Sequence, residues 1–306
     1  MLKVLKRYLS LYYIMELHLN KIDKATDGTF YNIDKIYNEN IDCYDKETGE
    51  LIFSLKKKIL PDEIYNIDKK LIVLAGTLSP NRGSAGGVVN AKGLRKGKEH
   101  WSKKPEYPCD KEGNPLPEGH NKHTALFKYE DGRISKRARS NSVASQSVGG
   151  FDKSPQYPCR LTHWTKNNLE SYKTIFPLCK YISDEYFSYT PDKWLHQYEK
   201  YQRCPQDFLI PETNFSTLTI NLDFRTATHR DKGDFKGGLT CFTIKKVGEY
   251  TGGELCFPEY HIGLNVEQGD LLMFNPHTAH CNNPIIGSGR MSFVLYLREK
   301  MDKCLS

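Results

Sequence analysis

The sequence has no Cys-x-x-Cys pair and no long apolar run. Its nine cysteines are scattered over 306 residues, and an odd, unpatterned set argues against a zinc–thiolate site and against a disulfide framework. We therefore expect free thiols and a reducing intracellular compartment: nucleus, cytoplasm or, for a viral chain, a viral factory. Because no stretch approaches about 18 consecutive apolar residues, we predict no transmembrane helix and no membrane partner.

The N-terminus also lacks the pattern of a secretory signal. Lysines precede an apolar stretch at Leu9–Leu19, but Glu16 and His18 interrupt it and no small-residue cleavage site follows. An amphipathic starting helix is the interpretation that this pattern favours. We expect the protein not to be secreted.

Positive charge is concentrated in one part of the chain. The formal net charge is +7, and the stretch from Asn81 to Ser140 holds 14 Lys and Arg residues against 7 Asp and Glu residues. The rest of the chain is therefore neutral overall. Such a concentration indicates a polyanionic partner, although a solvated basic loop would have the same composition.

Composition divides the chain into three segments. We predict an N-terminal α/β extension (1–75), a Gly/Pro-rich basic segment packed on or over the core (76–163) and a core with supporting helices (164–306). The second segment begins with GTLSPNRGSAGG, whose Gly, Ser and Pro residues predict a loop. An irregular segment of that length inside a compact domain indicates a function.

The third segment has a helical half followed by a strand half. Apolar and aromatic residues recur at helical spacing through 166–201, where Pro191 begins a second helix, and we expect this stripe to pack on a sheet. After Pro211 the period changes to two, and glycines separate short apolar runs, which is typical of a sandwich or barrel covered by helices on one sheet. The predicted strands are 217–224, 239–245, 254–257, 270–274 and 291–297.

Two histidines and an aspartate have the order that an open metal site needs. His229 and Asp231 form a His-x-Asp pair, and His280 follows about fifty residues later. Two imidazoles and one carboxylate on one face of an ion are the ligands of non-heme Fe(II) oxygenases, although zinc accepts a similar set and surface histidines are the plain alternative. His277 competes with His280, but it follows Pro276 and has the opposite parity, so we prefer His280.

Arg290 favours iron over zinc. A 2-oxo acid co-substrate carries a distal carboxylate, which the planar fork of an arginine binds through two donors. A zinc hydrolase has no need of such a residue, whereas an unpaired carboxylate inside a barrel would be costly. Ser292, two residues later on the same face, can add a hydroxyl hydrogen bond. The alternative for Arg290 is a surface position on an edge strand.

Strand parity predicts that these residues converge. If the strand that includes Leu218 continues without a bulge, Asn221, Arg225, His229 and Asp231 share the face opposite its aliphatic side chains. The aliphatic face would then pack on the helices, and the polar face would look into the barrel mouth. The last strand has a matching inward set: Arg290, Ser292, Val294 and Tyr296.

Four segments together resemble a known family of enzymes: INLDFRTATHRDKGDFKGG, GEYTGGELCFPEY, GDLLMFNPHTAHCNNPI and RMSFVLY. They are similar to the catalytic core of the Fe(II)/2-oxoglutarate dioxygenases that comprise the ten-eleven-translocation methylcytosine oxidases and the base-J thymidine hydroxylases. Two upstream segments, GRISKRARSNSVASQSVGGFD and PCRLT, resemble fungal, algal and viral members. The likeness covers roughly residues 71–300 and is strong from Thr217 onward. It implies an α+β fold, a double-stranded β-helix (jelly-roll or cupin-like) barrel with covering helices.

The resemblance also implies roles for individual residues. His229, Asp231 and His280 would bind Fe(II), while Arg290 and Ser292 would bind 2-oxoglutarate, with O2 as the other co-substrate and ascorbate as an aid. Asn221 is a further candidate for contact with 2-oxoglutarate. Seven residues are candidates for substrate contact: Asp234, Arg225, Tyr260, Arg133, Lys136, Arg137 and Arg139.

Asp234 is the position where the likeness is weakest. The methylcytosine oxidases have an asparagine there that touches the base, whereas an ionised carboxylate only accepts hydrogen bonds. The choice of base therefore does not transfer from those enzymes. Asp234 can accept from an exocyclic amine or cap the turn at KGDF, and both interpretations stay open.

Three functions are open from the sequence alone. We favour hydroxylation of a methyl-bearing base (5-methylcytosine or thymine type) in nucleic acid, DNA before RNA, by a monomer that releases succinate and CO2. The second is oxygenation of a protein side chain such as proline, or of a small molecule. The third is a non-catalytic base-binding module. In the first, the basic segment would hold phosphates, while four aromatic residues would stack on bases or pin the segment to the core: Trp101, Tyr107, Phe127 and Tyr129.

Overall fold

Two β-sheets face each other, and helices cover the outer side of the larger one. The computed structural model describes residues 14–80, 82–87, 105–110, 112–115, 126–129, 132–134, 141–154 and 157–305. Among these residues, no helix has the length and apolarity needed to cross a membrane.

The strands are short, as the period-two pattern and its glycine breaks predict. They are, in chain order, β1 Met15–Leu19, β2 Ile36–Tyr37, β3 Ile41–Asp45, β4 Leu51–Lys56, β5 Leu78–Ser79, β6 Pro105–Cys109, β7 Leu126–Tyr129, β8 Val143–Phe151, β9 Arg160–Leu161, β10 Thr217–Leu222, β11 Thr240–Lys246, β12 Tyr250–Gly252, β13 Leu255–Phe257, β14 Ile262–Leu264, β15 Leu271–Phe274, β16 Cys281–Asn282, β17 Ile285–Gly287 and β18 Arg290–Tyr296.

The helices lie where the helical spacing predicts them, with one more before the basic segment. Thr162 caps α2 by accepting from the backbone N–H of Thr165, and Pro191 begins α5, where its missing N–H and fixed φ are tolerated. The α-helices of the described residues are α1 Lys69–Ala75, α2 His163–Asn167, α3 Leu169–Lys173, α4 Phe176–Tyr189 and α5 Pro191–Gln202. Short 3₁₀ turns occupy Asp62–Tyr65, Gly83–Gly86, Gln206–Phe208, Pro258–Tyr260 and Met301–Leu305.

The N-terminal strands belong to the same sheet as the strands of the third segment. The large sheet has the order β1-β3-β4-β15-β11-β18-β10-β8-β5, with β9 paired to β8, and the small facing sheet has the order β16-β13-β14-β2. The first segment thus contributes strands to both sheets. The division of the chain into three domains stays a prediction.

Alternation along the strands separates two apolar cores. On β18, Met291, Phe293 and Leu295 enter the core between the large sheet and the helices, whereas Phe242 of β11 and Phe274 of β15 enter the core between the two sheets. Each such buried side chain contributes roughly 1.5–3 kcal/mol. The facing sheets and the helices on one side match the predicted double-stranded β-helix with covering helices.

The starting helix predicted at the N-terminus is wrong in its described part. Met15–Leu19 is a strand that pairs in parallel with Ile41–Asp45. Its side chains alternate between half-buried and exposed positions, which is the period of a strand and was hidden by the short length of the run. Residues 1–13 lie outside the described residues.

The expectation that all cysteines are free thiols is wrong for one pair. Cys159 and Cys304 form a disulfide, with their Cα atoms 5.7 Å apart and 145 residues between them in sequence. The other seven cysteines are free and buried. Spacing alone does not reveal such a pair, because the fold brings its two members together. The compartment stays a prediction.

Gly149 of β8 lies where a side chain has no room. Its φ is +94°, and a Cβ built there would lie 2.5 Å from the carbonyl oxygen of Ser216. We expect Gly149→Ala to lower the free energy of unfolding by about 2–4 kcal/mol, because backbone strain and overpacking add; urea denaturation measures this. Gly49→Ala is the matched control, since Gly49 has φ +70° but no atom within 4 Å of its Cβ position. Gly49→Ala should lower the free energy of unfolding by about 1 kcal/mol. An equal decrease in both variants would contradict a steric clash at Gly149.

Tyr260 ties the small sheet to the large one. Its Oη donates to Oδ2 of Asp45, at the end of β3, over 2.6 Å, and this hydrogen bond is the main reason that the pKa of Asp45 lies below its ordinary 3.8. We expect Tyr260→Phe to lower the free energy of unfolding by about 1–2 kcal/mol at neutral pH.

The same variant has a pH signature. A carboxyl whose folded pKa is lowered stabilises the fold above its unfolded pKa and loses that effect as pH falls through the folded value. The stability difference between the wild type and Tyr260→Phe should therefore be constant from pH 7 to about pH 5 and shrink below about pH 4. A difference that grows on acidification would contradict this role.

Candidate metal centre and co-substrate pocket

A cavity of about 420 Å³ lies between the two sheets. Its polar wall is formed by β8, β10 and β18, and its apolar wall includes Phe242, Leu255, Phe274 and Val294. Residues 229–234 and the loop 82–85 add to the lining. A concave space with an apolar lining and a few converging polar groups is the usual form of a ligand site.

His229, Asp231 and His280 meet at this cavity. One ligand atom from each lies within 4.8 Å of the other two. The two histidines exchange both backbone hydrogen bonds, 3.0 Å from His229 N to His280 O and 3.1 Å in return, and the N–H of Asp231 donates to Pro276 O over 2.8 Å. Backbone pairing therefore sets the spacing of the three side chains before any metal binds.

Both imidazoles turn the same nitrogen to the site. Nδ1 of His229 lies 2.8 Å from Ala227 O, and Nδ1 of His280 lies 2.9 Å from Thr278 O. A proton on Nδ1 can donate to each carbonyl, which leaves Nε2 as the ligand atom. The two Nε2 atoms lie 3.7 and 3.4 Å from the two oxygens of Asp231.

Burial and the charges of the three side chains shift one another's pKa values in ways that suit the binding of a cation. Burial and the neighbouring His280 lower the pKa of His229 to about 4, so its ring is neutral near pH 7. Burial alone would raise the pKa of Asp231, but His229 and His280 outweigh it and bring the value to about 2. Burial would lower the pKa of His280, but its hydrogen bond to Asp231 outweighs burial and raises it. Two imidazoles and an ionised carboxylate, with no thiolate, fit Fe(II).

Arg290 is a buried cation, and one of its side-chain nitrogens has no hydrogen-bond partner among the described residues. The residue is 3% exposed, and its Nη2 has no hydrogen-bond partner among the described residues. Burial lowers the pKa of Arg290 to about 10, which still leaves the group charged near pH 7. An unpaired buried guanidinium nitrogen is costly, so this atom indicates an anionic ligand.

Ser292 and Asn221 extend the polar wall beside Arg290. They face each other across β10 and β18, and Asn221 Nδ2 donates to Ser292 Oγ over 3.0 Å. The hydroxyl of Ser145, on β8, donates to Asn221 Oδ1. The chain thus fits a 2-oxo dicarboxylate whose far carboxylate pairs with Arg290 and Ser292.

Two residues that the sequence reasoning missed hold Arg290 in place. Asp223 directly follows β10 with φ +48° and accepts from the N–H groups of Gly289 and Arg290, both over 2.8 Å. Gly253 has φ +77°, and a Cβ there would lie 2.7 Å from Arg290 Nε. The Gly252-Gly253 doublet was visible in the sequence, but only as a turn signal.

The parity expectation holds within β10 and is wrong beyond it. Thr219 and Asn221 line the cavity, while Leu218 and Ile220 enter the helix-side core. The strand ends at Leu222, however, so no continuous strand connects Asn221 to Asp231. The chain turns at Asp223 and returns to the cavity through the pairing of His229 with His280.

Two candidates for substrate contact lie elsewhere. Arg225 donates from Nη2 to Asn32 Oδ1 over 2.7 Å and to Tyr31 O over 3.2 Å, and it is outside the cavity lining. Tyr260 belongs to the core between the sheets and binds Asp45. Both polar groups have structural partners, and their contact with a substrate stays a prediction.

The basic candidates are only partly described. Arg133 is exposed and is absent from the cavity lining. Lys136, Arg137, Arg139 and Trp101 lie outside the described residues, as do the side chains of Tyr107, Phe127 and Tyr129.

Asp234 does line the cavity. It is 6% exposed, and its Oδ2 accepts from Thr240 Oγ1 over 2.9 Å. Burial, and then the charge of Asp231, raise the pKa of Asp234 well above its ordinary range. His277 lies beside it rather than among the metal ligands, with Nε2 3.1 Å from the carbonyl oxygen of Asp234.

The chain is similar to known proteins in sequence and in fold. A family model described as "Oxygenase domain of the 2OGFeDO superfamily" (Tet_JBP) matches residues 148–299. Thymine dioxygenase JBP1 of Crithidia fasciculata is 34% identical over 173 residues, which is 50% of this chain and 20% of that protein. The protein of the same name from Trypanosoma brucei brucei is 34% identical over 146 residues, 46% of this chain and 17% of that protein. The chain thus spans about a fifth of the length of these curated relatives.

A solved structure shows the same fold. It is described as NgTET1 in complex with 5mC DNA, and it matches with a TM-score of 0.55 and 12% identity over 95% of this chain and 83% of that one. At that identity the likeness concerns the fold alone. The family model and the relatives show that the chain belongs, through residues 148–299, to the TET/JBP oxygenase family of the 2OGFeDO superfamily.

Proposed function

We propose that this protein is an Fe(II)- and 2-oxoglutarate-dependent dioxygenase that hydroxylates a methyl-bearing base in DNA. One observation carries the proposal: the cavity holds the His229, Asp231 and His280 ligand set, and Arg290, whose Nη2 has no hydrogen-bond partner in the described part of the chain, lies on the same strand as Ser292 of its polar wall. A metal site alone would suit many reactions, whereas the added buried cation suits a dicarboxylate co-substrate. Relatives named thymine dioxygenase support the choice of a base as substrate.

Each part of the cavity has a separate task. When bound, Fe(II) with 2-oxoglutarate and O2 supplies the oxidising power for C–H hydroxylation, with release of succinate and CO2. Arg290 and Ser292 hold the far carboxylate, and Asn221 fixes the Ser292 hydroxyl by donating to it. Such fixed contacts position the co-substrate before reaction. Phe242 and Phe274 keep water from the space between the sheets.

The substrate must enter this cavity as a single base. A base inside a duplex is out of reach, so the enzyme takes its target out of the stack. Positive side chains in the lining suit a polyanion at the cavity mouth: Arg82, Arg230, Lys232 and Arg298. We further propose a monomer that works in a reducing compartment with ascorbate as an aid, and that keeps the basic segment 76–163 for phosphate contact.

Product analysis tests the proposal directly. The protein is turned over with Fe(II), ascorbate and 2-oxoglutarate on four substrates: duplex DNA with thymine, duplex DNA with 5-methylcytosine, RNA and a proline-containing peptide. We expect mass spectrometry to find a hydroxymethyl base in DNA, formed in step with succinate. Succinate production that peptide stimulates and no oligonucleotide does would sink the proposal in favour of a protein hydroxylase.

The choice between the two neighbouring histidines is testable. We expect His280→Ala to abolish metal-dependent succinate formation, because it removes one of three ligands. His277→Ala is the matched control, since His277 contacts Asp234 O and no ligand atom, and it should keep Fe(II) binding and most of the turnover. Anaerobic Fe(II) titration reports metal binding apart from activity. Loss of iron in His277→Ala with retention in His280→Ala would reverse the assignment.

The Arg290 site predicts a selective defect in co-substrate binding. We expect Arg290→Ala to raise KM for 2-oxoglutarate about 10- to 100-fold, the range for losing a charge-assisted pair, while Fe(II) binding persists. Gly253→Ala should act in the same direction, because its Cβ would push Arg290 aside. Arg203→Ala, an exposed position at the end of α5, is the control. An unchanged KM in Arg290→Ala would remove Arg290 from the site.

A further inference from the structure

A series of contacts between arginine side chains and aromatic rings connects the cavity to the protein surface. Arg298 lines the cavity, and its guanidinium carbon lies 4.3 Å from the centroid of the Phe151 ring. The guanidinium of Arg160 lies over the same ring at 5.6 Å and over the ring of Tyr157 at 4.6 Å. We call these four residues the arginine–aromatic stack. It ends at Tyr157, which is 56% exposed.

A short hairpin holds three members of the arginine–aromatic stack together. Phe151, the last residue of β8, pairs with Arg160, the first residue of β9, so their side chains are direct cross-strand neighbours. Nearer the tip, the backbones of Ser154 and Tyr157 exchange two hydrogen bonds, of 2.9 and 3.2 Å. Arg160 Nη1 also donates to Pro158 O over 3.1 Å. Backbone pairing therefore fixes the position from which the Tyr157 ring faces solvent.

Exposed lysines lie beside this hairpin. Lys153 belongs to it, and the backbone N–H of Lys300 donates to Asp152 Oδ2 over 3.2 Å, which places Lys300 next to it; both lysines are exposed. Two carboxylates beside them, Asp152 and Glu299, already accept hydrogen bonds from the protein. Exposed ammonium groups next to an exposed ring suit a phosphate next to a base.

An exposed ring in contact with a guanidinium is a stacking platform for a planar ligand. Every nucleobase has a π-face that stacks on tyrosine or on arginine, whatever its hydrogen-bonding edge. A target base that is taken into the cavity leaves its neighbours in the strand without one of their stacking partners. Because the arginine–aromatic stack begins at the cavity and ends at an open ring, such a neighbouring base is the ligand that it fits.

We propose that Tyr157 and Arg160 form a second binding site, which stacks a nucleobase adjacent to the target nucleotide while Lys153 and Lys300 bind the phosphates beside it. Tyr157 and Arg160 are absent from the cavity lining, so this site is separate from the one that receives the target base. It contributes affinity and position rather than sequence preference, because stacking accepts any base. That role rests on the proposed function, since only a nucleic acid substrate has a neighbouring base.

DNA affinity tests the ring of Tyr157. The full-length protein, with Fe(II) and 2-oxoglutarate but without O2, is titrated with short duplexes that contain one mispaired thymine or one mispaired 5-methylcytosine. We expect Tyr157→Leu to weaken binding about 5- to 50-fold, the effect of losing one stacked base, and Tyr157→Phe to stay within about twofold of the wild type. Phe187→Leu is the matched control, because Phe187 is 47% exposed and lies on the covering helix α4; it should keep the wild-type affinity.

Abasic sites locate the stacked base. The same duplexes are made without the base on either side of the target, one position at a time. We expect one of these two abasic sites to weaken binding of the wild type about 5- to 50-fold and to have little further effect on Tyr157→Leu. The two changes are non-additive because the ring and the base belong to the same contact.

Salt dependence separates the lysines from the ring. We expect the double variant Lys153→Gln/Lys300→Gln to reduce the slope of log affinity against log salt concentration by about one to two, because up to two phosphate contacts are lost. Tyr157→Leu should keep the wild-type slope, because stacking releases no counterion. Lys69→Gln/Lys70→Gln, at two exposed lysines of α1, is the control and should also keep it. Circular dichroism and Fe(II) titration check that each variant is folded.

Affinity and product analysis together separate this site from the proposed function. Wild-type affinity in Tyr157→Leu, with an oxidised base still formed, would overturn the stacking site and leave the function standing. Unchanged binding of the wild type to both abasic duplexes would overturn it with no variant needed. An unchanged salt slope in the Lys153/Lys300 variant would remove the lysines from the site. Absence of DNA binding and of any oxidised base, with succinate formed on peptide, would overturn the proposed function itself.

Discussion

The paired backbones of His229 and His280 are the constraint on which the site depends. Two hydrogen bonds of 3.0 and 3.1 Å make these residues direct neighbours across two chain segments, so their backbones cannot separate without breaking both bonds. Asp231 is tied by its own N–H to Pro276, on the segment that leads into His280. Three ligands from two distant parts of the sequence thus become one rigid unit. A site held by backbone in this way is more precise than one held by mobile loops.

Burial then makes each charged group at the site depend on a partner of opposite charge or on a hydrogen bond. Asp231 is kept ionised because two imidazoles lie beside it, and its hydrogen bond in turn raises the pKa of His280. Arg290 has no such partner within the described residues at Nη2. In surroundings of low polarity an unpaired charge is costly, and the attraction between paired charges is strong. Burial of Arg290 without a partner would destabilise the fold, and the same burial therefore favours the binding of a carboxylate to Arg290.

Local patterns in the sequence predicted those features that depend on neighbours along the chain. Period two placed Ser292 and Asn221 on the cavity side of their strands, since alternation is a property of each strand alone. The period-two pattern gave a wrong continuation of the strand after Leu222. Asp223 takes a left-handed φ of +48° and begins a turn that the pattern of apolar residues does not predict. Arg82 and Arg298 were missed because they are far apart in the sequence and only the fold brings both of them to the cavity. Arg225 and Tyr260 looked functional because their partners, Asn32 and Asp45, are distant in sequence.

The last strand of the barrel forms part of the cavity wall. Arg290 begins β18 and Tyr296 ends it, and at roughly 3.3 Å per residue the strand spans about 20 Å. Three of its inward side chains, Ser292, Val294 and Tyr296, line the cavity. Its outward side chains, Met291, Phe293 and Leu295, are fully buried against the helices. Because that core fixes the strand, it also fixes the cavity wall that the inward side chains of the strand form.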